Sequence, residues 1–484
     1  LVEVQAPYGY ALDKTPVAFS VSLENAEKEN SLTIVKVEKQ NTAQKGRISV
    51  QKTGDIFTSV NMASSAYTDE NGELVVNSTT YTPVFADGDL SGAVFQVIAV
   101  EDIVTLDGTT RAYAGDVVSE ITTDENGYAE TEPLYLGKYE VREIKAPDGY
   151  VLNNEPKDVE VTYAGQEFEV RDTVNTAFEN EYQGVRISLS KVMENDELFG
   201  IYGKDYYTSV RFGLFAAEDI TAADGSVIPA DGLLSEVSLD ENMTAKFDVQ
   251  IPFGRYYVKE ISTDEHYVLG GEKYLVNFEY MGQDIRTVDI DCGQFVNLLK
   301  RGRIEGHKVD DKSEPLENAV FGLFTADCVK FSRDTAIMTA VSDENGFFEF
   351  DDVPFGKYIV REIESPRGYI LSDKEYTVSI SEDGEVIEIT AENKPITVEI
   401  SKRDVYGNEL VGAEMVLENA DGETVDKWTS DGKNHIVSKL GTGEYVLKEI
   451  AAPDGYIIAT DIKFNVDVYG NVTVENVDST AVSD

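Results

Sequence analysis

The stretch YEVREIKAPDGY, residues 139–150, decides the fold of this 484-residue chain, because variants of it recur along the sequence. The other complete copies occupy residues 256–267, 358–369 and 445–456, and a truncated copy at the start has Glu3, Pro7, Gly9 and Tyr10 in the same register. Residues two apart in a strand share a face, so Tyr139, Val141 and Glu143 point the same way. Each copy therefore directs one glutamate toward an apolar interior, where an unpaired carboxylate is costly.

Two other residue types recur around each glutamate. An alternating apolar strand before each complete copy ends on a lysine of the same face, and a strand after each copy ends on an asparagine. The candidate triads are Lys52, Glu143 and Asn180; Lys191, Glu260 and Asn297; Lys308, Glu362 and Asn393; and Lys402, Glu449 and Asn476. A single inward lysine is best explained by a buried stem whose amine reaches water. Four occurrences of the same ordered triple favour a functional site instead.

Burial gives these three residue types a shared chemistry. Desolvation lowers the pKa of a lysine and raises the pKa of a glutamate by up to ~3–5 units. A neutral lysine amine is a nucleophile. A protonated glutamic acid can polarise the asparagine carboxamide and carry protons to the leaving group. The predicted product is an amide between Lys Nζ and Asn Cγ, made once with loss of ammonia.

The sequence resembles the tandem Cna-B/SpaA-type, prealbumin-like domains of Gram-positive surface adhesins and pilins over almost all of its length. The most specific part of the resemblance is the Glu-centred segment, written YEVREIKAPDGY, YIVREIESPRGY and YVLKEIAAPDGY. The resemblance implies intramolecular Lys–Asn isopeptide bonds in each triad, assisted by Glu143, Glu260, Glu362 and Glu449. It also implies an all-β fold of tandem Greek-key β-sandwich domains, stacked end to end as an elongated rod.

Two segments depart from this pattern. The second complete copy has Asp264 and His266 where the others have Pro and Gly, so its turn must differ. The opening fragment has Glu3 and, in register, Asn41, but its lysine would lie before Leu1, so the fragment cannot close a bond alone. A lysine also stands two residues before Asn41 in place of a hydrophobic residue, which weakens the assignment of Asn41.

The spacing of the triads sets the domain boundaries. An asparagine precedes the next lysine by 11 residues at three junctions and by 9 at the fourth. We predict part of a truncated Cna-B-like domain at residues 1–46 and four complete domains at 47–183, 184–301, 302–395 and 396–484, here called repeats 1 to 4. Such short connections leave little freedom between neighbours, so we expect a semi-rigid, monomeric rod.

Local patterns also predict β structure. Val, Ile, Thr, Tyr and Phe alternate with polar residues, and turn residues interrupt them every several positions. Asp-Glu-Asn-Gly begins at Asp69, Asp124 and Asp343, with a variant at 240–243. Asn-Gly between strands predicts a β-hairpin at each of these places.

Repeat 1 contains an insertion at residues 53–89. Two interpretations stay open for it. The sequence favours an extra hairpin that covers a sheet edge, and the alternative is a ligand-binding surface, because insertions on rigid scaffolds often bind partners.

Composition excludes several function classes. The formal net charge is −49, which argues against nucleic acid and anionic membranes as partners. No apolar run is long enough for membrane insertion. Cys292 and Cys328 lie in different repeats and are expected to be separate thiols. The three histidines lack metal-ligand spacing, and no cofactor motif appears, so we expect no metal, no cofactor and no turnover enzyme.

The function predicted from the sequence is a structural stalk segment of a Gram-positive cell-surface adhesin, strengthened by its cross-links. The alternatives are an adhesin region that contacts a host or extracellular-matrix protein or glycan through residues 53–89, and a pilin shaft subunit. In each case we expect an extracellular protein that is anchored to the cell wall through regions outside this segment.

Overall fold

The computed structural model describes residues 1–21, 27–29, 32–68 and 74–475. Within them the chain is built from strands, with one short 3-10 helix at Asp205–Tyr207 and no α-helix. This confirms the predicted all-β class. Contacts divide the chain into two compact units. The first contains Leu1–Lys191, Ser209–Ser262 and Gly270–Phe295, and the second contains Val192–Thr208, Thr263–Leu269 and Val296–Asp484.

Repeat 1 is a sandwich of two sheets. The strands of the opening fragment and repeat 1 are β1 (Glu27–Glu29), β2 (Leu32–Ile34), β3 (Lys45–Gly46), β4 (Ile48–Thr68), β5 (Leu74–Asp89), β6 (Val94–Ala99), β7 (Ile103–Val104), β8 (Thr110–Ala112), β9 (Val117–Thr122), β10 (Tyr128–Glu130), β11 (Leu134–Tyr135), β12 (Gly137–Lys145), β13 (Lys157–Val161) and β14 (Val174–Asn180). One sheet has the order β13-β12-β6-β9, and in the other β4 pairs with both β10 and β14. The inward faces of both sheets bury Ile48, Val50, Phe95, Val97 and Val141.

The insertion in repeat 1 is a long β-hairpin. Strand β4 continues past Lys52 without a break and pairs with β5 from Thr53↔Asp89 to Thr68↔Leu74. On its other edge, β5 joins β19 of repeat 2 at Thr80↔Leu233. The hairpin therefore covers a sheet edge, which is the interpretation that the sequence favoured, and the edge belongs to the next repeat.

Repeat 2 repeats the two-sheet plan. Its strands are β15 (Gly184–Met193), β16 (Arg211–Ala216), β17 (Ile220–Thr221), β18 (Val227–Ile228), β19 (Leu233–Ser238), β20 (Thr244–Phe247), β21 (Gly254–Ser262), β22 (Tyr274–Phe278) and β23 (Thr287–Asn297). One sheet has the order β20-β15-β23. The other, β19-β16-β21-β22, is continuous with β4 and β5 through the hairpin.

Repeat 3 follows the same plan, whereas the last described strand of repeat 4 joins its larger sheet and does not pair with its first strand. Their strands are β24 (Arg301–Asp310), β25 (Val320–Thr325), β26 (Met338–Val341), β27 (Phe347–Pro354), β28 (Gly356–Glu364), β29 (Glu375–Ile380), β30 (Val386–Asn393), β31 (Thr397–Ile400), β32 (Val411–Asn419), β33 (Thr424–Asp431), β34 (His435–Ser438), β35 (Gly443–Ala451), β36 (Ile462–Val466) and β37 (Val472–Val474). In repeat 3 the sheets are β27-β24-β30 and β26-β25-β28-β29. In repeat 4 they are β31-β34 and β33-β32-β35-β36-β37.

Three of the four turns of the Asp-Glu-Asn-Gly type do not form the predicted hairpins. The turn at Asp124 connects β9 to β10, and the turn at Asp343 connects β26 to β27, but each pair of strands lies in two different sheets. The variant at 240–243 likewise connects β19 to β20 across the sandwich. The aspartate side chain closes each turn locally by accepting backbone N–H groups, so the turn does not need a ladder between its flanking strands. The copy that begins at Asp69 lies outside the described residues, but the strands on either side of it, β4 and β5, pair in antiparallel fashion up to Thr68↔Leu74, so the hairpin predicted there is confirmed.

Candidate functional site

The predicted lysines are buried at the centre of the sandwiches. Lys52 on β4, Lys191 on β15 and Lys308 on β24 are at most 3% exposed. Each follows two apolar or small inward residues on its strand, so the alternation that builds the core also carries the lysine into it. Lys402 follows β31, and its side chain is 10% exposed.

The backbone of three lysines is held by the turn that crosses between the sheets. Lys52 N–H donates to Gly127 O at 2.7 Å, and Lys308 N–H donates to Gly346 O at 2.6 Å. Both glycines have a positive φ and lie so close to the lysine carbonyl that a Cβ would overlap it. In repeat 2, Met243 takes this place with φ 60°, and Lys191 N–H donates to its carbonyl at 2.9 Å. Sequence reasoning noticed these turns but missed that they support the lysines.

The four glutamates project from the opposite sheet and meet the lysines across the core. The distances from Lys Nζ to the carboxylate are 3.6 Å for Lys52 and Glu143, 3.0 Å for Lys191 and Glu260, 3.3 Å for Lys308 and Glu362, and 3.5 Å for Lys402 and Glu449. All four glutamates are at most 5% exposed. The tyrosine four residues before each glutamate fixes the strand. Its hydroxyl donates a hydrogen bond to the backbone carbonyl four residues before the tyrosine.

An aromatic ring shields the site in three repeats. Directly across the ladder from the glutamate stand Phe95 in repeat 1, Phe212 in repeat 2 and Phe321 in repeat 3. In repeat 3 a second ring, Phe348, stacks on Phe321 with centroids 3.9 Å apart. Gly306 makes room for it, since a Cβ there would overlap the Phe348 ring. Repeat 4 has Met415 at the equivalent position.

Two asparagines lie on the strand beside the lysine. In repeat 1, β14 pairs in parallel with β4, and Phe178 is opposite Lys52, so Asn180 is the next residue on the same face. In repeat 3, β30 pairs in parallel with β24, and Asn393 stands in the same relation to Lys308. Asn180 Nδ2 donates to Val151 O at 2.6 Å, and Asn393 Nδ2 donates to both oxygens of Glu362 at 2.9 and 3.0 Å.

The remaining two asparagines are placed less completely. Asn297, at the end of β23, is 2% exposed and belongs to the second compact unit, where its Nδ2 donates to Thr263 Oγ1 at 2.8 Å. Asn476 lies outside the described residues. The structure also brings Glu3 and Asn41 together, with Asn41 Nδ2 donating to both carboxylate oxygens at 2.8 Å.

Burial moves both ionisable groups toward their neutral forms. It lowers the pKa of Lys52 to about 8, against the attraction of Glu143, and it raises the pKa of Glu143 against the attraction of Lys52. In repeat 3, burial lowers the pKa of Lys308 and raises that of Glu362. It also lowers the pKa of Lys191. In repeats 1 and 3, burial therefore favours a neutral amine beside a neutral carboxylic acid.

Several buried polar atoms of the triads make no hydrogen bond within the described part of the chain. They include the Nζ atoms of Lys52 and Lys308 and the Oδ1 atoms of Asn180 and Asn393. Buried polar atoms of native proteins are normally paired, so each such atom needs an explanation. An amide bond between Nζ and Cγ would remove the buried amine altogether. A lysine amine and an asparagine carboxamide are also the two groups that an acyl transfer from asparagine to lysine requires.

Other candidate chemistry has weaker support. Both cysteines are free thiols, as expected, and burial raises the pKa of Cys292 to about 11, so it is a poor nucleophile. Across residues 1–21, 27–29, 32–68 and 74–475, no group of three or more His, Cys, Asp or Glu side chains could hold a metal ion. In the same ranges, no helix is long and apolar enough to cross a membrane.

Comparison with known protein families gives a match over three stretches of the chain. The model of the SpaA domain, described as a prealbumin-like fold domain, matches residues 84–175, 302–395 and 396–480. These stretches cover more than half of the chain and contain the glutamates of repeats 1, 3 and 4.

Individual relatives are more distant. A stretch of 147 residues is 27% identical to the trypsin-resistant surface T6 protein of Streptococcus pyogenes serotype M6, and it covers 30% of this chain and 23% of that protein. The Bacillus anthracis TIE protein is 21% identical over 69% of this chain and 58% of its own, with a TM-score of 0.45. BcpA, the major pilin subunit of Bacillus cereus, is 18% identical over 73% of this chain and 100% of its own, with a TM-score of 0.31. The chain thus spans less than two thirds of the T6 and TIE proteins.

Proposed function

Because the chain belongs to the family of SpaA prealbumin-like fold domains, we propose that it is a stalk segment of a Gram-positive surface protein, held by self-made covalent bonds. Each repeat would join its lysine to its asparagine once, with the glutamate as acid and base. The observation that supports this most directly is in repeat 3, where Lys308, Glu362 and Asn393 meet in a buried site.

The reaction balances without any other reactant. The neutral Lys308 Nζ attacks Cγ of Asn393, the Nζ–Cγ bond forms and the Cγ–Nδ2 bond breaks. One Nζ proton is transferred to the leaving nitrogen through the Glu362 carboxyl, so ammonia departs and the carboxyl is regenerated. The aromatic rings and the two sheets exclude water, which keeps the amine neutral and prevents hydrolysis of the side-chain amide. Each site reacts only once, so it does not act as an enzyme with repeated turnover.

The position of the bond explains its use. In repeats 1 to 3 the lysine lies on the first strand and the asparagine on the last, so tension applied to the chain ends would load these two strands. Hydrogen bonds between strands contribute only about 0.5–1.5 kcal/mol each. A covalent amide between the strands would carry the tension and would also hinder the opening that proteases need. The relative from Streptococcus pyogenes is described as a trypsin-resistant surface protein, which agrees with this role.

The segment would act outside the cell as a monomeric, semi-rigid rod, anchored to the wall through regions beyond it. A partner of the whole protein would be a host or matrix protein or glycan. The strong negative charge argues against nucleic acid and anionic lipid.

Intact mass under denaturing conditions, followed by tryptic mapping, tests the proposal. We expect a deficit of four ammonia molecules, with Lys52 joined to Asn180, Lys191 to Asn297, Lys308 to Asn393 and Lys402 to Asn476. Glu143→Ala should restore one ammonia and release the first pair only. Glu140→Ala, on the outward face of the same strand, is the matched control and should leave the deficit unchanged. An undiminished mass of the unaltered chain would rule out the cross-linking function.

A further inference from the structure

Each glutamate of the repeated segment makes one further contact, which involves neither lysine nor asparagine. Its Oε2 accepts a hydrogen bond from the backbone N–H of the residue ten positions later. The donors are Asp13 to Glu3 (3.1 Å), Asn153 to Glu143 (2.9 Å), Gly270 to Glu260 (3.0 Å), Ser372 to Glu362 (2.9 Å) and Ala459 to Glu449 (2.7 Å). The five donor residues have no side-chain chemistry in common. The common feature is the backbone N–H itself.

The Pro-x-Gly-Tyr turn returns the chain to the glutamate. In repeat 3, Tyr369 N–H closes the turn on Pro366 O, and Gly368 takes the positive φ of 86° that the turn needs. In repeat 2, His266 replaces the glycine and the turn closes on Asp264 O, yet the N–H of Gly270 still reaches Glu260. The contact therefore persists where the turn sequence does not, which indicates that the position of the N–H matters.

In repeats 1 to 3 the two oxygens of the glutamate have different partners, because the backbone N–H donates to Oε2 and the lysine Nζ lies nearest to Oε1. In repeat 4 the Ala459 N–H and Lys402 Nζ both lie nearest to Oε2 of Glu449, so the inference concerns repeats 1 to 3. We propose that this backbone N–H is a positioning group for the cross-linking reaction, because it occupies Oε2 and keeps the acidic proton of the glutamic acid on Oε1, beside the amine. This inference rests on the proposed cross-linking function.

Carboxylic acid chemistry supports the assignment. In a protonated carboxyl the carbonyl-type oxygen is the better acceptor, so an N–H directed at Oε2 favours the tautomer with the hydroxyl at Oε1. From Oε1 the proton can pass to the leaving Nδ2, and a proton from Nζ can replace it as the new bond forms. Without the N–H, Oε2 would lose this donor, and the preference for the hydroxyl at Oε1 would weaken.

Repeat 3 is suited to a test, because Asn393 and Lys308 both contact Glu362 there. Replacing the peptide bond between residues 371 and 372 by an ester, through semisynthesis of the full chain, removes only the N–H of Ser372. Ser372→Pro removes the same donor by mutation, and Ser372→Ala keeps it and is the matched control. Peptide mapping at successive times after synthesis measures the closure of each bond. The Lys52–Asn180 bond in the same molecule is the internal reference.

A pH profile separates a positioning role from a loss of structure. Burial raises the pKa of Glu362, and the Ser372 N–H opposes that rise. The titratable groups that face Glu362 in the described structure are Lys308 and Tyr376, and the ester changes neither. Removing the N–H alone should therefore raise the pKa of Glu362 further and move the alkaline limb of the rate profile to higher pH. A loosened site that admits water would move this limb to lower pH.

We expect the ester and Ser372→Pro to slow closure of the Lys308–Asn393 bond at least about tenfold, with the alkaline limb moved up, while Ser372→Ala closes like the unaltered chain. Closure of the ester at the unaltered rate, or slow closure with the limb moved down, overturns the positioning role. If the unaltered chain never loses ammonia at Lys308 and Asn393, the proposed function itself fails. Should Ser372→Pro not fold, the ester still decides between the outcomes.

Discussion

At the scale of single residues, each sandwich core contains a lysine and a glutamate, a pair that adds little to the free energy of folding. A buried ion pair often contributes less stability than apolar residues of the same size, because both charges lose their hydration. Lys52 and Glu143 are both inaccessible to solvent and 3.6 Å apart. We propose that the pair is the reactive state of a bond-forming site and not a stabilising salt bridge.

The pH dependence of stability should reveal the lysine when its bond cannot form. In Asn180→Ala, Lys52 stays buried, with a folded pKa of about 8 against an ordinary 10.5. Between these values the unfolded chain binds more protons than the folded chain, so the free energy of unfolding should rise with pH. We expect a rise of about 1–2 kcal/mol from pH 8 to 9.5, below the range in which tyrosines titrate.

Urea unfolding at each pH measures this rise in the free energy of unfolding. Hydrogen exchange of peptides from repeat 1 monitors the unfolding of that repeat. The double variant Lys52→Met with Asn180→Ala is the control, because it lacks the titrating amine and should show no such increase. Equal slopes for the two variants would mean that Lys52 keeps an ordinary pKa in the folded repeat.

At the scale of elements, the hairpin of β4 and β5 links repeat 1 to repeat 2 within the first compact unit. Apart from the Thr80↔Leu233 bridge, Phe57 O and Thr58 O accept the backbone N–H groups of Ala223 and Asp224. The strand that carries Lys52 thus continues directly into a contact with the following repeat. An edge strand left open is prone to pair with other chains, and the hairpin covers that of β19.

Shortening the hairpin should expose repeat 2. We expect a chain in which a two-residue turn replaces residues 55–87 to lose protection from hydrogen exchange at Ala223 and Asp224, because their acceptors are gone. Ala217, whose N–H donates to Arg255 O within repeat 2, should stay protected. Unchanged exchange at Ala223 and Asp224 would show that the hairpin does not hold this edge.

Two glutamines form hydrogen bonds across the junctions on either side of repeat 1. Gln183 is fully buried, donates to Gly282 O and Ile285 O at 3.0 and 2.6 Å, and accepts Met281 N–H at 2.9 Å. Gln44, 1% exposed, bonds the loop at 164–168 in the same way. Each glutamine lies three residues after an asparagine of the repeated pattern, so the two glutamines occupy equivalent positions at the two junctions.

Gln183→Ala should loosen one junction and leave the other intact. It removes three hydrogen bonds of about 0.5–1.5 kcal/mol each, so we expect exchange of the Met281 amide to accelerate roughly tenfold or more. Ala164, held by Gln44, provides the comparison within the same molecule and should not change. Equal acceleration at both amides would indicate general destabilisation instead of a local junction.

At the scale of the whole molecule, the cross-links should determine how far the chain extends under force. A closed Lys308–Asn393 bond keeps the 84 intervening residues out of the stretched contour. Single-molecule stretching of Glu362→Ala should therefore show about 300 Å of added extension compared with the unaltered chain, at about 3.5 Å per residue. Glu364→Ala, at the exposed end of the same strand, should add none. The same length in Glu362→Ala and the unaltered chain would mean that no bond closes in repeat 3.

The sequence by itself determined the fold class and the identity of many buried residues. These follow from local rules, since alternation along a strand assigns each side chain to a face, and Tyr139, Val141 and Glu143 are buried together as it predicts. The four Lys–Asn bonds and the domain boundaries remain predictions.

Only the tertiary structure decided which strands become neighbours. Periodicity within a strand carries no information about its partner, so it did not show that β14 lies parallel to β4, or that the Asp124 turn crosses between sheets and supports Lys52. It also could not show the N–H groups that hold the glutamates. Every residue except proline has a backbone N–H, and only the path of the folded chain brings the one from Ser372 to Glu362.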